Sequence, residues 1–225
     1  MQYSTWSPWL ARVACLVIAA AGLSQLGGCN IAQAVATLTR PDPVDEAKYE
    51  LSDLPTVVMF DDYYSVVTPV RIRRDIAEEV TMVLMERADM DDMVSPLDAI
   101  RMAKKLDKSV ERAAIHEVGK AIGVDQVIYI EPLRFLIPAI VGTSEPMAAF
   151  RVKVIDVKTG KRVFPADEKS GWSVQVSIPR AESQRIASSG PSAIRKELAT
   201  RSGDAIASLF FDIKYSQHGN RLLGQ

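Results

Sequence analysis

Two adjacent carboxylates, Asp61 and Asp62, directly follow a short apolar run and are the first candidates for chemistry. Carboxylates at the carboxyl end of a buried strand can act as general acid and base, or can hold a small ligand at the edge of an open sheet. More often, Asp residues at such a position end a strand and start a turn, because the side chain accepts hydrogen bonds from nearby backbone N–H groups. The sequence therefore allows two interpretations of this pair, a ligand site or a turn.

The other candidate acids and histidines lack the spacing that their chemistry requires. His116 precedes a Glu on a predicted helix, but no second His follows four residues later, as a zinc-protease helix requires. His218 lies near the C-terminus, far from His116 in sequence. Asp89, Asp91 and Asp92 form an acidic cluster without the spacing of a calcium-binding loop. The sequence therefore predicts no metal, no cofactor and no catalytic residue.

Cys29 has the clearest chemistry in the chain. It closes an apolar run, residues 13–28, that ends in Leu-Gly-Gly, and this arrangement resembles a bacterial lipoprotein signal. The resemblance implies cleavage before Cys29 and a diacylglyceryl thioether on its sulfur. The run is rich in Ala and Gly and shorter than the roughly 20 apolar residues of a membrane span, as expected of a secretory signal at residues 1–28. An uncleaved anchor helix from Trp6 to Leu26 is the alternative.

Charge and cysteine content narrow the function classes. The chain has 27 Lys and Arg against 28 Asp and Glu, a formal net charge of −1, which argues against nucleic-acid binding because that function needs a basic face. Its two cysteines are Cys15, within the predicted signal, and Cys29, so no disulfide is expected. Residues 29–54, with prolines among charged residues, are predicted to be a lipidated tether. Contact with a membrane is expected through the lipid anchor.

The hydrophobic pattern of residues 55–215 predicts one α/β domain. Strands are expected at Thr56–Phe60, at residues 125–130, and in a hairpin formed by residues 150–157 and 162–178 around Gly160. Helices are expected to begin at Thr68-Pro69, Ser95-Pro96, Ser109 and Ala193, and Gly123 to end the third of them. The predicted fold is a mixed sheet of about four to five strands packed by about four helices, followed by a loose tail at residues 216–225.

Three segments carry a family resemblance: Val57–Phe60, Ala121–Tyr129 and Val152–Lys161. Together they resemble the TolB amino-terminal domain superfamily, which includes the lipoprotein activators of penicillin-binding proteins and CsgG-like assembly lipoproteins. The resemblance implies a mixed sheet packed by helices, in an envelope protein that works by binding other proteins. It transfers no functional residue to this chain.

One apolar loop is a candidate for partner binding. Residues 136–142 are apolar and lie between two predicted strands, with Leu136, Ile137, Ile140 and Val141 as the candidate contact residues. An exposed apolar loop of this kind usually contacts a partner. Alternatively, the loop covers the sheet edge and joins the core.

Two functions follow from these observations. The first is a membrane-anchored envelope lipoprotein that binds or assembles other envelope proteins and is not an enzyme. It would face the periplasm, and Asn30, after the lipidated position, favours the outer membrane over the inner. The second is a small periplasmic ligand-binding protein or hydrolase that uses the carboxylates near Asp61.

Overall fold

The computed structural model describes residues 44–107 and 112–214. Cys29, the predicted signal at residues 1–28, most of the predicted tether, the predicted tail at residues 216–225 and His218 lie outside these residues. Within the two described ranges, no helix is both long enough and apolar enough to cross a bilayer.

The described chain contains both strands and helices, and the predicted α/β class is confirmed. The elements are β1 (Val44–Asp45), β2 (Thr56–Phe60), α1 (Arg71–Arg87), β3 (Met93–Val94), α2 (Pro96–Leu106), α3 (Ile115–Ile122), β4 (Gln126–Leu136), β5 (Met147–Asp156), β6 (Arg162–Phe164), β7 (Trp172–Ser177), α4 (Arg180–Ala187), α5 (Pro191–Ala207) and β8 (Ile213–Lys214).

The main sheet is mixed, as predicted, and has six strands among the described residues. Its order is β3-β2-β4-β5-β6, and β7 pairs with β5 beside β6. The pairs β2–β3 and β2–β4 are parallel, whereas β5 is antiparallel to β4, β6 and β7. Strands β3 and β4 lie on opposite sides of β2, so β2 is an interior strand of the sheet. Its uninterrupted apolar sequence predicts this position.

Helices cover both faces of this sheet. Alternate residues of β2 point to opposite faces. Val58 and Phe60 pack in one core cluster with residues of α1 and α5, and Val57 and Met59 pack in the other with residues of α2 and α3. The sheet is therefore the middle of three layers, and the loop that follows β2 emerges between them.

The start of α1 differs from the prediction. The helix begins at Arg71, and its N-cap residue Val70 makes no side-chain capping bond, so Thr68 is not the cap. The backbone N–H of Ile72 donates to the carbonyl of Pro69 at 3.0 Å. The predicted start at Ser95 is confirmed, because the Ser95 Oγ accepts the Leu97 N–H at 3.3 Å.

The third helix also starts later than predicted, at Ile115; residues 109–111 of the predicted helix lie outside the described residues. The Glu117 carboxylate accepts the Ala114 N–H at 3.2 Å and so supplies the local start signal. Gly123 ends the helix in the left-handed conformation, with φ of 80°, as predicted.

Strand β4 is longer than predicted. Pairing with β5 continues past Pro132 because the register shifts between Pro132 and Arg134, and Leu136 is the last strand residue. Helix α4 lies in a segment for which no helix was predicted, and its Ser183 is buried. The two-residue strands β1, β3 and β8 were also not predicted, since segments this short carry no periodic signal.

Residues 44–54 lie on the domain, although the sequence places them in the tether. Strand β1 pairs with β8 in antiparallel register, and the Lys48 N–H donates to the carbonyl of Leu209 at 2.7 Å. The ring of Tyr49 lies 5.2 Å from that of Phe164, measured between centroids. The folded unit therefore begins at Val44.

Gly203 lies where α5 crosses α1. A Cβ atom at this position would lie 2.5 Å from both the Cβ and the Cγ of Glu79, and 3.3 Å from the carbonyl oxygen of Ile76. The absence of a side chain at Gly203 thus allows the two helices to approach closely, which accounts for a residue that otherwise weakens a helix.

We expect Gly203→Ala to lower the free energy of unfolding by about 1–3 kcal/mol, because overpacking outweighs the gain of roughly 1 kcal/mol in helix propensity. Urea denaturation followed by circular dichroism measures the change. Ser192→Ala, an exposed substitution in the same helix, is the control and should stay within about 0.5 kcal/mol of the parent chain. A stabilised Gly203→Ala variant would contradict the close-packing explanation.

Candidate functional site

Asp62 fixes the loop that follows β2. Its side chain is fully buried. Its Oδ1 accepts the Val66 N–H at 2.7 Å and its Oδ2 accepts the Val67 N–H at 2.8 Å. The Nε of Arg73 lies 2.9 Å from Oδ2 and also donates to the carbonyl of Val67. The contacts made by both oxygens place Asp62 in the turn that the sequence allowed.

Asp61 points into a different set of contacts. Its Oδ1 accepts a hydrogen bond from Arg112 at 2.6 Å, and its Oδ2 accepts one from the Tyr129 hydroxyl at 2.7 Å. Its backbone N–H donates to the carbonyl of Ile130, which continues the ladder between β2 and β4 by one residue. The side chain is only 11% exposed, so it offers little surface to a ligand.

The contacts among Asp61, Arg112 and Tyr129 fix the protonation states of Arg112 and Tyr129. Burial, and then the hydrogen bond to Asp61, raise the pKa of the Tyr129 hydroxyl well above its ordinary value. The hydrogen bond to Asp61 also raises the pKa of the Arg112 guanidinium. Tyr129 therefore remains a neutral donor and Arg112 a cation throughout the physiological range.

The loop presents two tyrosines to solvent. Tyr63 is 66% exposed and Tyr64 is 78% exposed. Their rings meet edge to face with centroids 4.9 Å apart, and the Arg112 guanidinium lies 5.4 Å from the centroid of Tyr63. We call residues 61–67 the tyrosine loop. Its anchor, Asp62, is buried, and its aromatic side chains are outside.

The apolar loop between β4 and β5 divides its candidate residues between core and solvent. Ile137 and Val141 are half-buried and pack against the core. Leu136, the last residue of β4, and Ile140 are exposed, Ile140 by 70%. The Thr143 hydroxyl donates to the carbonyl of Ile140 at 2.8 Å, which fixes the backbone that presents this side chain.

The sheet brings both sets of candidates to the same end. Asp61 follows the carboxyl end of β2, and the loop after Leu136 follows the carboxyl end of β4, which runs parallel to β2. The loop after β4 starts farther along the strand direction than the loop after β2, because β4 extends past Ile130, which pairs with Phe60 at the end of β2. Tyr63, Tyr64, Leu136 and Ile140 thus lie at one end of the sheet, which we call the tyrosine end.

The other candidates do not form a site. Asp89, Asp91 and Asp92 are exposed, and no group of His, Cys, Asp or Glu in residues 44–107 and 112–214 is arranged to hold a metal. His116 is half-buried on α3, and its Nδ1 lies 3.3 Å from where a Cβ of Gly160 would be. A shallow groove of about 320 Å³ lies between α2 and the end of α3, lined by Val94, Asp98, Arg101, Met102, Lys105 and Ile122.

Sequence reasoning missed Arg112, Tyr129, Tyr63 and Tyr64. Arg112 is 51 residues and Tyr129 is 68 residues from Asp61 in sequence, so only the fold of the intervening chain brings them together. The Tyr63-Tyr64 pair, however, follows an Asp pair at a predicted strand end. Two adjacent aromatic residues in a predicted turn were an available signal, since turn residues are usually exposed.

The chain is only distantly similar to known proteins. No protein-family model matches it, and no curated protein is similar to it in sequence. The PelC dodecamer from Paraburkholderia phytofirmans is 14% identical with a TM-score of 0.42, and the match covers 74% of this chain and 97% of that one. Lipoprotein GNA1162 from Neisseria meningitidis is 12% identical with a TM-score of 0.34, covering 55% and 76%.

TolB from Acinetobacter baumannii is 12% identical with a TM-score of 0.30, covering 69% of this chain and 30% of that one. At these TM-scores the similarities assign neither a family nor a function to the chain.

We expect Asp62→Asn to lower the free energy of unfolding by about 2–4 kcal/mol, because the amide nitrogen cannot accept a hydrogen bond and Arg73 loses its charged partner. Asp61→Asn is the matched comparison and should cost about 1 kcal/mol, since the side chain of Arg112 is 46% exposed. Urea denaturation at pH 7 measures both. Equal losses for the two variants would contradict the separate structural roles assigned to these carboxylates.

Proposed function

We propose that this protein is a lipid-anchored component of the bacterial cell envelope that binds another envelope protein through its tyrosine end and performs no catalysis. The proposal rests on two independent parts of the chain, the segment that ends at Cys29 and the end of the sheet that carries Tyr63, Tyr64, Leu136 and Ile140.

One observation supports binding over chemistry most directly. The two carboxylates that a hydrolase or ligand-binding protein would use both have their oxygens occupied by other groups of this chain. Asp62 holds two backbone N–H groups and Arg73, and Asp61 holds Arg112 and Tyr129. Neither is free to accept a proton from a substrate or to orient a water molecule without breaking a contact of the fold.

The exposed side chains beside them have the composition of a protein-binding surface. Tyrosine and arginine are enriched at the centres of protein interfaces, and an aromatic ring contributes a large contact area while losing few rotamers. Tyr63 and Tyr64 contact each other, and Arg112 lies close to Tyr63, so these groups are ordered before a partner arrives. Ile140 and Leu136 add apolar surface at the same end of the sheet.

The anchor would be supplied by Cys29. Its thioether-linked diacylglycerol would hold the protein at a membrane, because two or more acyl chains anchor stably where one binds only marginally. The domain would face the periplasm, and Asn30 favours the outer membrane.

Cys29→Ala should abolish lipid attachment and transfer the protein from the membrane fraction to a soluble or precursor form. The measurement is fractionation of cells followed by intact mass of the protein. Cys15→Ala removes the other cysteine, within the predicted signal, and should leave both fractionation and processed mass unchanged. A Cys29→Ala protein that stays in the membrane at its normal processed mass would contradict the anchor.

A photo-crosslinking residue placed at Tyr64 or at Ile140 should capture the same envelope protein in intact cells. The double substitution Tyr64→Ala with Ile140→Asp should then reduce capture roughly 30-fold or more, as loss of an interface hot spot of about 2 kcal/mol predicts. Circular dichroism should show an unchanged fold, because both side chains are exposed.

Val163 provides the control for this experiment. It is exposed on β6, which pairs with β5 at Val154 and Ile155, toward the opposite end of the sheet. Crosslinking at this position, or Val163→Asp, should not affect the capture. If no protein is captured at the tyrosine end, and a small ligand instead raises the melting temperature of the parent chain but not of Asp61→Asn, the ligand-site alternative replaces this proposal.

A further inference from the structure

Strand β7 leaves one side of its backbone without a strand partner. Among the strands that the structure describes it pairs only with β5, from Met147↔Ser177 to Val152↔Trp172. The N–H of the next residue, Ile178, donates to the carbonyl of Pro146 at 3.0 Å. Because an antiparallel ladder alternates, the backbone groups of Trp172, Val174 and Val176 face β5, and those of Ser173, Gln175 and Ser177 point away from the sheet.

This edge lacks the sequence features that usually protect an edge strand from pairing. Natural edge strands are commonly short, or carry a lysine, a proline or a bulge. Strand β7 has six residues with no charge and no proline, and its register with β5 is continuous. The opposite edge of the main sheet, β3, has only two residues. The β7 edge is therefore the long, uncharged edge of this sheet.

The strand is complementary to itself in antiparallel orientation. A two-fold axis through Gln175 would place Gln175 opposite Gln175 of the second copy and Ser173 opposite Ser177. The outward N–H and C=O groups of these residues would then form up to six hydrogen bonds between copies. On the face that contacts the core, Val174 would lie beside Val176, so apolar pairs with apolar and polar with polar.

From the free edge and its self-complementary sequence, we propose that β7 pairs with β7 of a second copy, in antiparallel register centred on Gln175, and joins two main sheets into one. This interface uses the backbone edge of β7, whose last residue, Ser177, lies level with Leu136 across β5. It uses none of the four side chains of the tyrosine end and does not depend on the function proposed for them.

Cysteine substitutions test the register in the full-length chain in its own membranes. Residues paired by two backbone hydrogen bonds have Cα atoms about 5.5 Å apart, within the range of a disulfide or a short thiol crosslinker. Gln175→Cys should form crosslinked dimers. Ser173→Cys alone should not, because two copies of residue 173 would be about four residues apart along the strands, or roughly 14 Å. The parent chain, with Cys15 and Cys29, sets the background.

Co-expression of Ser173→Cys and Ser177→Cys chains provides the second measurement, because these positions face each other only in the proposed register. Crosslinking between the two chains should fall to background when both also carry Gln175→Pro, which removes an outward N–H and leaves the ladder to β5 intact. Crosslinking of Ser173→Cys equal to that of Gln175→Cys would overturn the proposal. So would a Gln175→Cys chain that remains monomeric, or crosslinking that persists in the presence of the proline.

Discussion

The parallel pairing of β2 with β4 is the contact on which the rest of this structure depends. Five residue pairs, from Thr56↔Gln126 to Phe60↔Ile130, join segments that lie far apart in sequence. A buried polar contact occurs at the first pair, where the Gln126 Nε2 donates to the Thr56 Oγ1 at 2.7 Å. That nitrogen also donates to the carbonyl of Ser52 at 2.7 Å. Because a buried amide is costly without partners, a shifted register would be penalised at this pair.

This register also explains why the two adjacent aspartates have different roles. With Phe60 opposite Ile130, Asp61 is the first residue beyond the five pairs, and its side chain is on the face of the sheet where Tyr129 and Arg112 lie. Asp62, the next residue, turns toward the loop and Arg73. One carboxylate thus joins the strand end to the crossover that contains α2 and α3, and the other joins it to α1. Tyr63 and Tyr64 follow both carboxylates and are exposed on a loop that is closed where Asp62 accepts the N–H groups of Val66 and Val67.

Much of the layered fold could be predicted from periodicity. The β2 apolar run, the alternation in β7 and the Ser95-Pro96 helix start each carry a local signal that the structure confirms. The length of β4 was not predicted. The expected strand ends at residue 130, whereas a bulge lets β4 continue pairing with β5 past Pro132, which depends on the partner strand rather than on the proline itself. Helix α4 was missed because its eight residues are mostly polar and its stability comes from packing against α5.

The candidate site was less predictable than the fold. The position of Asp61 and Asp62 at a strand end was predictable, since acids after an apolar run mark such a position. The partners of Asp61 were not predictable, because Arg112 and Tyr129 are brought to it only by the crossover connection between β2 and β4. In the same way, the apolar loop after β4 could be recognised by composition, but its division into half-buried Ile137 and exposed Ile140 depends on which side of the loop meets the core.

The pairing of β1 with β8 has a consequence for how this domain connects to other polypeptides. Val44 lies opposite Lys214, so the chain enters and leaves the folded unit at neighbouring points. Adjacent termini are the geometry that permits circular permutation and insertion of one domain into a loop of another. The two ends of the folded unit could thus be joined by a short linker, and new ends could be opened in a surface loop. The unit could also be inserted into a host protein without moving apart the host segments on either side.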